Sequence, residues 1–272
     1  MADMLALVAE AGWNQTEADW QTFLALGSIH AAHTAEGRIV ATAATIPYGR
    51  FGWISMVLVT SAYRRRGLAT RLMHRCIDEL TAARCAPVLD ATPAGREVYR
   101  ALGFVDTWSY QRWSHRDWRG GHLAPAPSGV AIEPITDSIW PALCAYDASV
   151  FGADRSSLLE RLRTRLPKAG FAATRSGTVV GLVLGREGRI AAQIGPLVAE
   201  NEAIALALLA RGLEAQRGPL FIDVVDAKAG LIAWLREKGF VPQRPLTRML
   251  QRRREAFDDG MRTFAVAGPE FG

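Results

Sequence analysis

Arg64, Arg65 and Arg66 stand directly before Gly67, between an apolar run and an amphipathic one, and this clustering suits an anion. The run 54–59 is apolar and of strand length. Leu68, Leu72, Cys76 and Leu80 then recur every four residues, with Met73 and Ile77 beside them, which predicts one buried helix face. At the junction Gly67 lets the backbone approach a ligand closely, and the N–H groups that open a helix point at negative charge. Three guanidinium groups add to the attraction. A strand, a basic turn and a helix start in this order form a phosphate cradle. On this pattern alone, the plain alternative is an exposed basic turn before a surface helix.

Arg64-x-x-Gly67-x-Ala69 resembles the Arg/Gln-x-x-Gly-x-Gly/Ala signature of the GNAT superfamily of acyl-CoA-dependent N-acyltransferases. Tyr99-Arg100-Ala101-Leu102-Gly103-Phe104 resembles that family's Tyr-x-x-x-Gly-Phe segment. The resemblance implies that Val57, Leu58, Val59, Arg64, Arg65, Arg66, Gly67, Leu68, Ala69 and Thr70 bind acetyl-CoA or another acyl-CoA, with its pyrophosphate in the turn. It also implies direct attack of a small amine on the acyl thioester, without a covalent enzyme intermediate. Backbone N–H groups of 56–59 would polarise the thioester carbonyl. Tyr99, a phenol protonated at neutral pH, would return a proton to the leaving thiolate. Two departures from the family stand out. Thr92 replaces a common Asn, and the cradle strand carries no acid, only Trp53 and Ser55 with polar atoms. Asp90, Asp223, Asp226, His30 and His33 are candidate bases, as is a water chain; each residue reads more readily as an ordinary turn, cap or strand residue, and none is singled out.

The elements that must position these residues follow in order. Leu5, Val8 and Ala9 have helical spacing, and a second helix opens at Asn14-Gln15-Thr16-Glu17. Strands 28–34 and 38–46 flank Glu36-Gly37, a hairpin turn. A buried strand at 87–91, a helix from Pro93 to Gly103 and a strand at 104–113 complete the GNAT order without its opening strand. A Gly/Pro/Ser linker at 119–129 follows. The same grammar then returns, from a strand at 130–135 to a helix ending at Gly239-Phe240, which matches Gly103-Phe104. The fold class expected is α/β (α+β): tandem GNAT folds, each a mixed, mostly antiparallel sheet with a central parallel pair splayed into a V, flanked by helices. The expected division is a catalytic domain at 1–118, the linker at 119–129, a degenerate GNAT-like domain at 130–250 and a tail at 251–272.

The second half differs where chemistry is concerned. Ala199-Glu200-Asn201-Glu202 replaces the basic turn, and two carboxylates there oppose a pyrophosphate by Coulomb repulsion. Leu235 stands at the place of Tyr99. One acyl-CoA per chain is therefore expected. Residues 262–267 alternate polar and apolar, which predicts an added strand covering a sheet edge.

Composition bounds the rest. At 272 residues the chain is long enough for two domains, and its 49% hydrophobic and 22% charged content is that of a globular protein. No apolar run reaches the ~20 residues that span a bilayer, and the start lacks a signal-peptide pattern, so a cytoplasmic location and no membrane partner are expected. Cys76, Cys85 and Cys144 show no metal-ligand or redox spacing; reduced packing thiols and no metal follow. The net charge of +5 is modest, and Arg252-Arg253-Arg254 has no interleaved aromatic residues, which argues against nucleic acid. The rival to an enzyme is a catalytically silent acyl-CoA-binding module acting through protein contacts.

Overall fold

Two runs of one element grammar share a continuous twelve-stranded sheet. The computed structural model describes residues 1–121 and 124–272, so part of the expected linker, 122–123, lies outside the described residues. The first run is α1 (Ala2–Glu10), α2 (Glu17–Leu26), β1 (Ser28–His33), β2 (Ile39–Tyr48), β3 (Phe51–Val59), α3 (Leu68–Ala82), β4 (Ala86–Ala91), α4 (Pro93–Ala101) and β5 (Phe104–Trp118). The second is β6 (Val130–Pro134), α5 (Trp140–Phe151), α6 (Ser156–Arg165), β7 (Phe171–Arg175), β8 (Thr178–Arg186), β9 (Ala192–Ala199), α7 (Glu202–Glu214), β10 (Gly218–Val225), α8 (Ala229–Glu237) and β11 (Val241–Gln251). A short β12 (Thr263–Ala265) lies in the tail. Parallel pairing occurs between β3 and β4 and between β9 and β10, one such pair in each half, within an otherwise antiparallel sheet. This is the fold class expected.

The helical period seen in the sequence is the packing face of α3: Leu72, Met73, Cys76, Ile77 and Leu80 are buried. Gly52 lets that helix lie close on β3, because a Cβ there would come within 2.3 Å of Leu80 Cδ2. Strand order runs β1-β2-β3-β4-β11-β5-β10-β12-β9-β8-β7-β6. The linker divides the sequence, whereas the sheet interleaves the two runs. β11, from the second, enters between β4 and β5 of the first, and β5 continues onto β10. Two buried ion pairs lock this seam. Arg248 Nε donates to Asp90 Oδ1 at 3.0 Å, and Arg112 Nε and Nη2 donate to Asp223 at 2.7 and 2.6 Å. Such charges are tolerated in the interior only when paired and hydrogen-bonded.

The core is shared as well. Trp20, Phe23 and Trp53 from the first run pack in one cluster with Phe151, Leu158 and Leu162 from the second and Phe271 of the tail. The tail corrects one expectation. A strand does form there, but it covers no edge. β9 and β10 pair only over Ala192–Ile194 and Leu220–Ile222, and β12 fills the split beyond, with Thr263 opposite Val198 and Ala265 opposite both Leu197 and Val224. Backbone groups left bare between diverging buried strands need partners, and the small, apolar β12 supplies them. Phe264, Ala265 and Val266 are buried there.

Candidate active site

In the first half the corresponding split stays open. The β3–β4 ladder covers only Phe51, Gly52 and Trp53 opposite Ala86, Pro87 and Val88. Beyond it β3 bulges: its register against β2 shifts between Thr42 and Ala44, Met56 has φ +53°, and Thr42 Oγ1 donates to the Met56 carbonyl at 2.9 Å. Bulges re-aim a strand and end its pairing. The resulting cleft lies between residues 54–57 of β3 and Leu89 and Asp90 of β4.

The basic turn sits at the carboxyl end of β3. Arg64 Nε donates to the Val59 carbonyl at 3.1 Å, and Glu10 accepts from Thr60 Oγ1 and Ser61 N, each at 2.6 Å, so the turn is braced from both sides. Gly67, at φ +73°, opens α3, and no side chain caps that helix. The first N–H groups of a helix have no partner within it. A Cβ on Gly67 would meet nothing within 4 Å, so the approach is clear. Arg64, Arg65, Arg66 and Gly67 are exposed, with the Arg66 guanidinium 4.8 Å from the Tyr63 ring centre. Among the ten residues expected to hold acyl-CoA, Val57 lines the cleft; Leu58 and Val59 continue the same strand, and Leu68, Ala69 and Thr70 form the first turn of α3. The donor set, backbone N–H groups with three guanidinium groups beside them, fits a pyrophosphate.

The matching place in the second half is closed. Asn201 Oδ1 accepts from Ile204 N at 3.1 Å and caps α7, Glu200 pairs with Arg175 at 2.6 Å, and Glu202 accepts from Leu231 N at 2.8 Å. Charge was the objection legible in the sequence. Bulk is the second, because β12 occupies the split itself.

Tyr99 reaches the open cleft from α4. Its ring lies 6.2 Å from that of Phe104, its hydroxyl makes no hydrogen bond to a described residue, and burial pushes its pKa up to about 12. Thr92 is occupied in capping α4, accepting from Gly95 N at 3.2 Å. Leu235, at the place of Tyr99 in the second half, is wholly buried.

The candidate bases are engaged elsewhere. Asp90 accepts from Tyr110 and Arg248, and Asp223 from Arg112 and Gln193. Asp226 takes the Ser109 hydroxyl, His30 pairs with Glu79, and His33 meets the Gly37 carbonyl. The structure instead brings Gln15, Ser55, Arg244 and Glu270 to the cleft wall. Gln15 Oε1, Ser55 Oγ, Arg244 Nε and Glu270 Oε2 are buried and have no partner among the described residues. Ser55 is visible in the sequence as a polar residue of the cradle strand. Gln15, Arg244 and Glu270 carry no local signal, since they arrive from a loop, a strand of the other half and the tail.

Two family models match the chain: "Acetyltransferase (GNAT) family" over residues 7–104 and "Acetyltransferase (GNAT) domain" over 143–265. The chain is 27% identical over 246 residues to the uncharacterized N-acetyltransferase YitH of Bacillus subtilis (strain 168), covering 88% of this chain and 84% of that one. It is similar in structure to a putative acetyltransferase from Pyrococcus horikoshii, with a TM-score of 0.76, 19% identity, and coverage of 100% of this chain and 92% of that one. A tandem GNAT protein from the clavulanic acid biosynthesis pathway aligns with a TM-score of 0.65 and 17% identity, over 91% of this chain and 92% of that one. The interleaved sheet, with an open split in its first half and a filled one in its second, is thus built from two GNAT domains in tandem, and the chain belongs to the GNAT superfamily.

Proposed function

We propose that the protein is an acyl-CoA-dependent N-acyltransferase that uses one donor, most simply acetyl-CoA, per chain and acylates a small amine in the cleft between β3 and β4. The observation that carries this is the contrast between the two splits. One is open, with an uncapped helix start, Gly67 and three arginines at its mouth. The other is filled by β12 and capped by Asn201.

On this reading residues 1–118 bind the donor, while the second half at 130–250 and the tail at 251–272 complete the acceptor side. The donor substrate supplies an activated acyl group. Arg64, Arg65, Arg66 and the N–H groups of Gly67, Leu68, Ala69 and Thr70 hold its pyrophosphate. The backbone of Val57, Leu58 and Val59 holds its extended arm, and N–H groups at the bulge offer a positive end to the carbonyl oxygen. Tyr99 holds its proton at neutral pH and gives it to the departing sulfur. Calorimetric titration with CoA should give one site per chain, and acetyl-CoA with a mixed amine panel should release thiol. Two equivalent CoA sites, or binding without any amine-dependent thiol release, would overturn the reading.

A further inference from the structure

Resting on that reading, we infer that the acceptor is a small amino acid, whose amine is received by Glu270 and whose carboxylate is bound by Arg244. Both side chains line the cleft between β3 and β4. Glu270 is 2% exposed, and one of its oxygens is held by Arg186, which also reaches Asp19 and the Ala267 carbonyl. The other oxygen, Oε2, is buried without a partner. A buried carboxylate oxygen left bare costs free energy unless something donates to it, and an amine is such a donor. Gln15 Oε1 and Ser55 Oγ are likewise bare, which places acceptor oxygens from three segments on one cleft.

Arg244 supplies the opposite charge. Its guanidinium makes no ion pair with a described residue and its Nε is buried and bare. Burial, and after it the neighbouring Arg112 charge, lower its pKa, and the more distant pull of Asp223, Tyr110 and Glu270 only partly offsets them. Arg112 cannot share its own partner freely, because it grips Asp223 through two hydrogen bonds. Glu270 and Arg244 have no nitrogen–oxygen approach within 4.0 Å of each other, so two opposite charges face one cleft without neutralising each other directly. A molecule with an amine at one end and a carboxylate at the other completes both.

In the reaction the acceptor, having shed one proton to solvent, arrives as its neutral amine. Its nitrogen bonds to the acyl carbon as the carbon–sulfur bond breaks. The proton lost from nitrogen passes to Glu270 Oε2, Tyr99 gives its proton to sulfur, and solvent carries the proton from Glu270 back to Tyr99.

The test compares L-leucine with isoamylamine and L-phenylalanine with phenethylamine, pairs differing only by the carboxylate, in acetyl-CoA-dependent thiol release. With the unaltered protein the amino acid of at least one pair should be preferred in kcat/KM by ~10- to 100-fold, the worth of a charged hydrogen bond to Arg244. Arg244→Gln should bring that ratio near one. Glu270→Gln, which keeps an oxygen for Arg186, should lower kcat for every acceptor while CoA affinity holds. Equal use of both members of each pair, or a preference that survives Arg244→Gln, would overturn the inference. So would no binding or acylation of either amino acid by a protein that binds CoA. Failure to bind CoA at all would instead remove the acyltransferase reading beneath it.

Discussion

The indole Nε1 of Trp53 donates to the carbonyl oxygen of Pro269 at 3.0 Å, joining the last residue of β3 that pairs with β4 to the tail that carries Glu270. Tyr48 does the same two residues further along the tail, its hydroxyl donating to the Phe271 carbonyl at 3.1 Å. The final residues are therefore a wall of the first half's site, held from β2 and β3.

The tail should be essential to stability. Phe271 is wholly buried, stacked on Phe23 at 5.3 Å between ring centres. Phe271→Ala should destabilise the chain by ~3–5 kcal/mol, the usual cost of emptying an aromatic site in a core. Urea unfolding would measure it, and a loss under 1 kcal/mol would show the tail to be loosely held.

The two halves should unfold together. Their helices and Phe271 share one hydrophobic core, and β5 and β11 are each bonded into the other run. Proteolytic cleavage within 119–129 should leave the fragments associated, melting in a single transition. Release of two separately folded fragments on gel filtration would contradict this.

Donor affinity should depend on the basic turn. Gly67→Glu places a carboxylate at the mouth of the cradle and strains a residue at φ +73°, so CoA binding should be lost. Arg65→Ala and Arg66→Ala should each weaken it by up to ~1.5–3 kcal/mol, less where solvent screens the side chain. Arg64→Ala should act differently, since Arg64 holds the Val59 carbonyl and its loss loosens the turn. Calorimetry on the three variants would separate these effects; CoA affinity unchanged in all of them would remove the cradle.

Tyr99→Phe should lower turnover by ~10²–10⁴-fold, as for a positioned proton donor, with CoA affinity kept. Burial raises the Tyr99 pKa from its ordinary value near 10 to about 12. The sign follows: the folded protein holds this proton more tightly than the unfolded chain, so the associated stability is complete below the unfolded value and is lost as pH rises through the folded one. The Tyr99 proton likewise remains in place through pH 10. Undiminished turnover in Tyr99→Phe, or equal losses of CoA affinity and turnover, would contradict the assignment.

The proposed donor side of this protein is legible in the order of its residues, because its parts are local. Gly67 needs a left-handed backbone, Leu72, Cys76 and Leu80 need one helix face, and Arg64 to Arg66 need only adjacency. The duplicated grammar was legible for the same reason, through matching Gly-Phe pairs after α4 and α8. The proposed acceptor side is not. Asp90 and Asp223 read as possible bases until the exchange of β11 and β5 delivered Arg248 and Arg112 to neutralise them. The Thr263–Ala265 strand reads as an edge strand because alternation fixes a face of a sheet but not which gap between strands it enters. Glu270 gains its meaning only when Arg186, 84 residues earlier in the chain, holds one of its oxygens and leaves the other bare. Hydrogen-bond satisfaction in a buried site is a property of everything packed around it, and that is decided by the tertiary fold.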